Sequence, residues 1–227
     1  MIDRIQIENF KSIRSLSLSL NSINVLIGGN GAGKSNFIQF FYLLRVFQQN
    51  QLKQYIATRG YADSFLHHGR RRSHYIEGGI DIGIHNSYHF RLIPNDNDLL
   101  MFQWEDAGFR KSSDVPFDFY NHHNTFSYES EILQRPLEGS RDEYIQDAFH
   151  KFCIYHFHDT SRTAPLRTPC SLDQNRFLDT DGNNLPAFLY WMQQQHPKSF
   201  RLLERTIQSI APFFRHFALE PDRLSPD

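Results

Sequence analysis

Cysteine is nearly missing from this chain: Cys153 and Cys170 are the only two in 227 residues. Two thiols cannot staple a small secreted domain, so they are read as inert thiols or at most one disulfide, and the scarcity points to a reducing compartment. A surplus of one charge is missing too. Lys and Arg total 24 against 25 Asp and Glu, a formal net charge of −1, so no global field draws in nucleic acid and any such contact needs a local patch. No apolar run approaches the roughly 18–20 residues that span a bilayer. The chain opens on an alternating strand, not on a charged and then apolar leader. A cytoplasmic protein with no membrane partner is therefore expected. Internal repeats, heptads and low-complexity tracts are also lacking, which excludes a coiled-coil insertion from this stretch. Aromatics, by contrast, are abundant. There are 21 Phe, and 40% of the residues are hydrophobic, enough for a globular fold with a sizeable core.

The informative stretch is Gly28-Gly29-Asn30-Gly31-Ala32-Gly33-Lys34-Ser35, a complete G-x-x-x-x-G-K-[ST] phosphate loop. Small residues let successive backbone N–H groups turn inward around a triphosphate. Lys34 then reaches the β- and γ-phosphates, and the Ser35 hydroxyl ligates Mg²⁺. Such a loop needs a strand before it and a helix after it, so that the positive helix end also faces the phosphates. Ile23-Asn24-Val25-Leu26-Ile27 reads as that strand, short, β-branched and buried. From Lys34 to Phe47 the chain has no Gly or Pro and is apolar on almost every face, which predicts a helix sandwiched in a core.

Around this centre the pattern alternates between strands and helices. Ile5 and Ile7, then Leu16, Leu18 and Leu20, alternate with polar residues and predict two strands before the loop. A helical turn or two is expected over Leu52–Ala57. Ile80, Ile82 and Ile84, then Tyr88, Phe90 and Leu92, then Leu99–Trp104 read as a β-meander with turns at His85–Ser87 and Asn95–Asp98, closed at Asp106–Gly108. Residues 109–139 show no clear period and read as irregular strand or loop. Ser140 with Glu143 has capping-box spacing for a helix to about Lys151. Phe152–Phe157 reads as a further buried strand, and two helices are expected over about Leu185–Gln195 and Lys198–Ile210, separated by Pro197.

Ile7-Glu8-Asn9-Phe10-Lys11-Ser12, followed by Val25 through Phe37, resembles the N-terminal lobe of the RecF/SMC-like ABC-type ATPases. Tyr155 through Ser161, and Asp181-Gly182-Asn183-Asn184-Leu185 ahead of a helix, are similar to bacterial predicted ATPases related to RecF. The resemblance implies an α/β P-loop NTPase of ABC-ATPase type. Its mixed central sheet would be flanked by helices and joined by an antiparallel β-subdomain. The nucleotide-binding core would be 1–50 and about 140–227, with the β insertion at about 72–130. It implies ATP and Mg²⁺ as cofactors. The backbone of Asn30, Gly31, Ala32 and Gly33 would hold the phosphates together with Lys34, the catalytic lysine, and with Ser35 and Asn36. Lys11 and Ser12 would lie beside the nucleotide, and Asp159 would join Ser35 at the metal, in a loop that lacks the family's usual glutamine. The expected partner is a second ATPase head in a homodimer, with DNA or an effector protein beyond it, in DNA repair or anti-phage defence. No signature loop of the L-S-G-G type, Walker B Asp-Glu or switch histidine is visible, so residues 1–227 are expected to be the first lobe only, binding ATP without hydrolysing it alone.

Two other functions compete. In a self-contained P-loop kinase or GTPase, Phe152–Phe157 would be the Walker B strand and Asp159 its metal carboxylate, but neither an Asn-Lys-x-Asp motif nor an Arg-rich lid is found. A non-catalytic nucleotide-binding module is the other. The histidine pairs His67-His68 and His122-His123, and His156 with His158, lack the third and fourth ligands of a zinc site. Arg70-Arg71-Arg72 reads as a solvated loop or as a DNA-contacting patch.

Overall fold

The computed structural model describes residues 2–121, 126–134, 141–155, 157, 161 and 163–220. The chain divides into two units, 1–152 and 153–227.

The first unit is built on a six-stranded sheet of order β2-β1-β3-β4-β5-β6. The strands are β1 (Ile2–Phe10), β2 (Ile13–Ser19), β3 (Ile76–Ile82), β4 (Asn86–Pro94), β5 (Leu100–Phe109) and β6 (Asp118–Asn121). Every pairing is antiparallel. Strand alternation sets the register. Ile5 lies opposite Leu18 on one side and Ile80 on the other, so one face carries Ile5, Ile7, Ile80, Phe90 and Phe102 into the core. The intervening Arg4, Glu8, Glu77 and Arg91 go to the other face.

Helix α1 (Lys34–Gln48) lies on the apolar face and buries Phe37, Phe40, Leu43, Leu44, Val46 and Phe47. Its phenylalanines meet those of the sheet. The Phe40 ring stacks on Phe90 with centroids 6.0 Å apart, and Phe47 presents its ring edge-on to Phe90 and Phe102, each at 4.8 Å. Gly78 of β3 permits this approach, since a Cβ there would stand 2.4 Å from the Phe90 ring and 2.6 Å from that of Phe40. Phe40, Phe47, Phe90 and Phe102 thus make one aromatic helix–sheet interface. Helix α2 (Leu52–Thr58) adds Leu52 and Ile56, and α4 (Arg141–His150) adds Ile145 and Phe149, the latter edge-on to Tyr88 at 5.3 Å.

A carboxylate of β5 is enclosed in this core. Glu105 of β5 is fully buried and accepts hydrogen bonds from the Tyr88 hydroxyl at 2.8 Å, the Ser130 hydroxyl at 2.7 Å and the backbone N–H of Ile132 at 2.9 Å, and from that of Glu131 as well. It thereby satisfies the first turn of the short helix α3 (Glu131–Gln134). Burial holds its carboxyl above the usual carboxylate range, against the opposing pull of these four donors.

In the second unit, α5 (Leu185–Gln195) and α6 (Pro197–Ile210) each carry a proline in the first turn, where no intrahelical donor is lost. Buried Asn184 organises the preceding loop, accepting from the Asp179 N–H and donating to the carbonyls of Gln174 and Phe177. No described helix is long and apolar enough to cross a membrane.

Several expectations are corrected. Ile23–Ile27 is not a strand; Ile23 is 82% and Ile27 91% exposed. A central strand needs a hydrogen-bonded neighbour on each edge, and the observed strand order leaves this segment no position. The mixed central sheet is accordingly not formed among the described residues, whose sheet is antiparallel throughout. The described part of Phe152–Phe157 is also outside any strand. Asp106–Gly108 does not turn. Ala107 pairs with Tyr88 and with Tyr120, and β5 runs on to Phe109, because β6 supplies the partner that the irregular sequence of 109–139 concealed. Ser140 lies outside the described residues.

Candidate functional site

The site forms where α1 starts beside the β1–β2 hairpin. Phe10 pairs with Ile13, leaving Lys11 and Ser12 as a two-residue turn, and Lys11 takes a left-handed φ of 51° as such tight turns demand. Ser12 reaches the phosphate loop, its hydroxyl accepting from Asn36 Nδ2 at 2.7 Å. Gly33, the residue before the helix, has φ 93°, and a Cβ on it would sit 3.2 Å from Ser12 Oγ. Both the backbone angle and the close approach therefore call for glycine at this point.

Helix α1 begins without any acidic residue in its first turn. Its first N–H groups have no partner within the helix, and its positive end stands uncompensated by its own side chains. Lys34 bends back over the loop and donates to the carbonyls of Gly28 at 2.7 Å and Gly29 at 2.8 Å. Asn30, Gly31, Ala32 and Ser35 are exposed. Small exposed residues, a lysine on the loop carbonyls and free helix N–H groups can together receive a polyphosphate, with the Ser35 hydroxyl open as an oxygen donor for a cation.

The sequence-derived residues fall into groups. Ser12 is hydrogen-bonded to Asn36 and leaves little room for a side chain on Gly33, and Asn30, Gly31, Ala32, Lys34 and Ser35 follow the same loop. Lys11 points elsewhere: its ammonium lies 4.5 Å over the Phe65 ring and donates to the Ser64 carbonyl at 3.4 Å. Burial pushes its ammonium below the ordinary lysine range, and the Arg59 charge adds to the effect. Asp159, His122, His123, His156 and His158 lie outside the described residues. Among the described residues no group of three or more His, Cys, Asp or Glu is placed to hold a metal.

The Arg70-Arg71-Arg72 run divides by role. Arg70 is structural, ion-paired with Asp98 and donating to the Asn95 carbonyl at 3.3 Å, while Asp63 accepts from its backbone N–H. Arg72 instead lines a cavity with Arg14, Ser15 and Tyr75. These three were not singled out in the sequence, because they come together only through pairing across β1, β2 and β3.

A family model for the AAA ATPase domain matches residues 1–155, which include the whole phosphate loop, α1 and the sheet. No curated protein sequence matches the chain. Among solved structures, a chain described as "Structural biochemistry of ATP-driven dimerization and DNA stimulated activation of SMC ATPases" is similar at 16% identity, over 66% of this chain and 91% of its own, with a TM-score of 0.29. At that score the two backbones diverge too far for individual positions to be equated. The family match spans more than half of the 227 residues and agrees with the expected ATPase N-terminal region; this chain belongs to the AAA ATPase domain family.

Proposed function

We propose that the chain is the ATP-binding lobe of a switch of the RecF/SMC, ABC type. Lys34 would neutralise the β- and γ-phosphates, and the backbone of Asn30 to Gly33 with the first turn of α1 would donate to them. Ser12 and Asn36 hold the loop against the hairpin. Mg²⁺ fits the donor set, an open hydroxyl at Ser35 beside an uncompensated helix N-terminus, and Asp159 is the carboxylate proposed to join it. When bound, the ion would offset phosphate charge. The observation that carries this reading is the hydrogen bond from Asn36, in the first turn of α1, to Ser12, with the Ser12 hydroxyl packed where a Cβ on Gly33 would crowd it. A second head, a homodimer partner in this reading, would close over the nucleotide, with a signature loop from a lobe that is not visible in residues 1–227. The closure would be transmitted to DNA or to an effector, in DNA repair or anti-phage defence.

The test is calorimetric titration of Mg²⁺–ATP into the chain and into Lys34→Ala, with GTP as competitor. The expected result is ATP-preferring binding that weakens by at least about tenfold in the variant, the effect of removing a charge-assisted contact. Equal affinity in both proteins would remove Lys34, and with it the proposed phosphate site.

A further inference from the structure

A cavity of about 690 Å³ opens beside the β1–β2 hairpin, a volume suited to a small organic ligand. None of its lining residues belongs to the phosphate loop. The two sites meet at the Lys11–Ser12 turn: Ser12 contacts Asn36, while Asn9, Arg14 and Ser15, which flank the turn, line the cavity. The far wall comes from the segment after the 3₁₀ turn at Ala62–Ser64 and is anchored to the same turn by His67 Nδ1, 2.7 Å from the Lys11 carbonyl.

The charges of this cavity are uneven. Arg14 and Arg72 are exposed, and among the described residues neither has an ion-pair partner. The neighbouring arginines behave differently, since Arg70 is paired with Asp98 and Arg91 with Glu77. Two exposed arginines at one cavity, neither paired with its Glu8, make a receptor for an anion, and a phosphate monoester, with three terminal oxygens and up to two charges, can engage both. The opposite character comes from Glu8, whose Oε1 accepts the Tyr75 hydroxyl at 2.9 Å. That carboxylate would repel a ligand that is anionic throughout, but it suits one carrying N–H or O–H donors. His67 and His68, rings 4.2 Å apart, add flat surface between the two ends.

We infer that this cavity is a second ligand site, separate from the phosphate loop, for a phosphate monoester of nucleotide size. Its phosphate lies at Arg14 and Arg72 and its sugar or base donors lie toward Glu8. The same chemistry is offered by a free mononucleotide and by the 5′-phosphorylated end of a nucleic acid strand.

The site is tested in the full chain carrying Lys34→Ala, so that the phosphate loop does not contribute. AMP, a 5′-phosphorylated pentadeoxynucleotide and the same oligonucleotide without its phosphate are titrated by calorimetry. Binding of AMP or of the phosphorylated oligonucleotide is expected, weakened at least about tenfold by Arg14→Ala with Arg72→Ala and largely restored by lysine at both positions. Preference for AMP identifies a free nucleotide, and preference for the oligonucleotide a strand end. Circular dichroism checks that the arginine variants stay folded. Failure of both phosphorylated probes to bind overturns the inference, as does affinity unchanged by the arginine substitutions or by removal of the 5′-phosphate. Loss of ATP binding at Lys34 is read in the parent chain, so the two sites succeed or fail independently.

Discussion

Two apolar segments of this chain read alike and end in opposite environments. Ile76, Ile80 and Ile82 of β3 are buried between β1 and β4, whereas Ile23, Val25 and Ile27 stand in water ahead of the phosphate loop. Their side chains have similar apolar area, and burial of each would yield a comparable free energy. What separates them is the backbone. β3 has a hydrogen-bonded strand on each edge and a phenylalanine-bearing helix on one face, and Asn21 to Ala32 is exposed at every residue. Hydrophobicity selects candidates for a core, but strand partners decide which of them enter it.

The comparison can be pressed hardest in the buried region. Phe47→Ala removes a ring that touches both Phe90 and Phe102, and should cost about 3–5 kcal/mol in urea unfolding. A loss below about 1 kcal/mol would mean that α1 does not depend on the sheet for its place. Glu105→Ala comes next, at about 2–3 kcal/mol, because four donors lose their shared acceptor. Glu105 also gives the buried region a pH signature. Its carboxyl is raised in the folded state, so the folded protein binds the proton more tightly than the unfolded chain. The stability from this proton is fully present below the ordinary carboxyl range and drains away as pH rises through the raised value. Thermal midpoints of the parent chain should therefore fall relative to Glu105→Gln over that interval, and parallel pH profiles would show that Glu105 titrates alike in both states. The smallest effect belongs to the exposed segment. Ile27→Ser should shift stability by no more than about 0.5 kcal/mol, and a loss of 2 kcal/mol or more would place Ile27 in a core after all.

Much of the sheet was legible because period-two alternation survives in Ile5-Ile7, Leu16-Leu18 and Tyr88-Phe90-Leu92, and α1 because its run lacks any breaker. The phosphate loop was legible because its function restricts both residue type and spacing. The misreadings share one cause. Ile23–Ile27 and Phe152–Phe157 have strand composition, but composition does not reveal whether a neighbouring strand exists. Gly108 looked like a turn because glycine has no side chain to declare a strand, while its lack of a Cβ leaves room for the Phe119 ring of β6. The pairing of Arg70 with Asp98, and the separate position of Arg72, depend on a loop contact 28 residues long that no local pattern encodes.

The pairing of β1 with β3 has a consequence for how the chain is made. Ile5 meets Ile80 across 75 residues, and closing so long a loop is slow beside closing the β3–β4 hairpin. During synthesis α1 leaves the ribosome before β4 and β5, and the rings that Phe40 and Phe47 rest on, Phe90 and Phe102, follow 43 to 55 residues later. At roughly 5–20 residues per second the phenylalanine face of α1 waits uncovered for about 2–11 s. A fully buried contact of the finished molecule is thus an uncovered one in the nascent chain, and the yield of folded protein should respond to elongation speed and to chaperones that cover aromatic side chains.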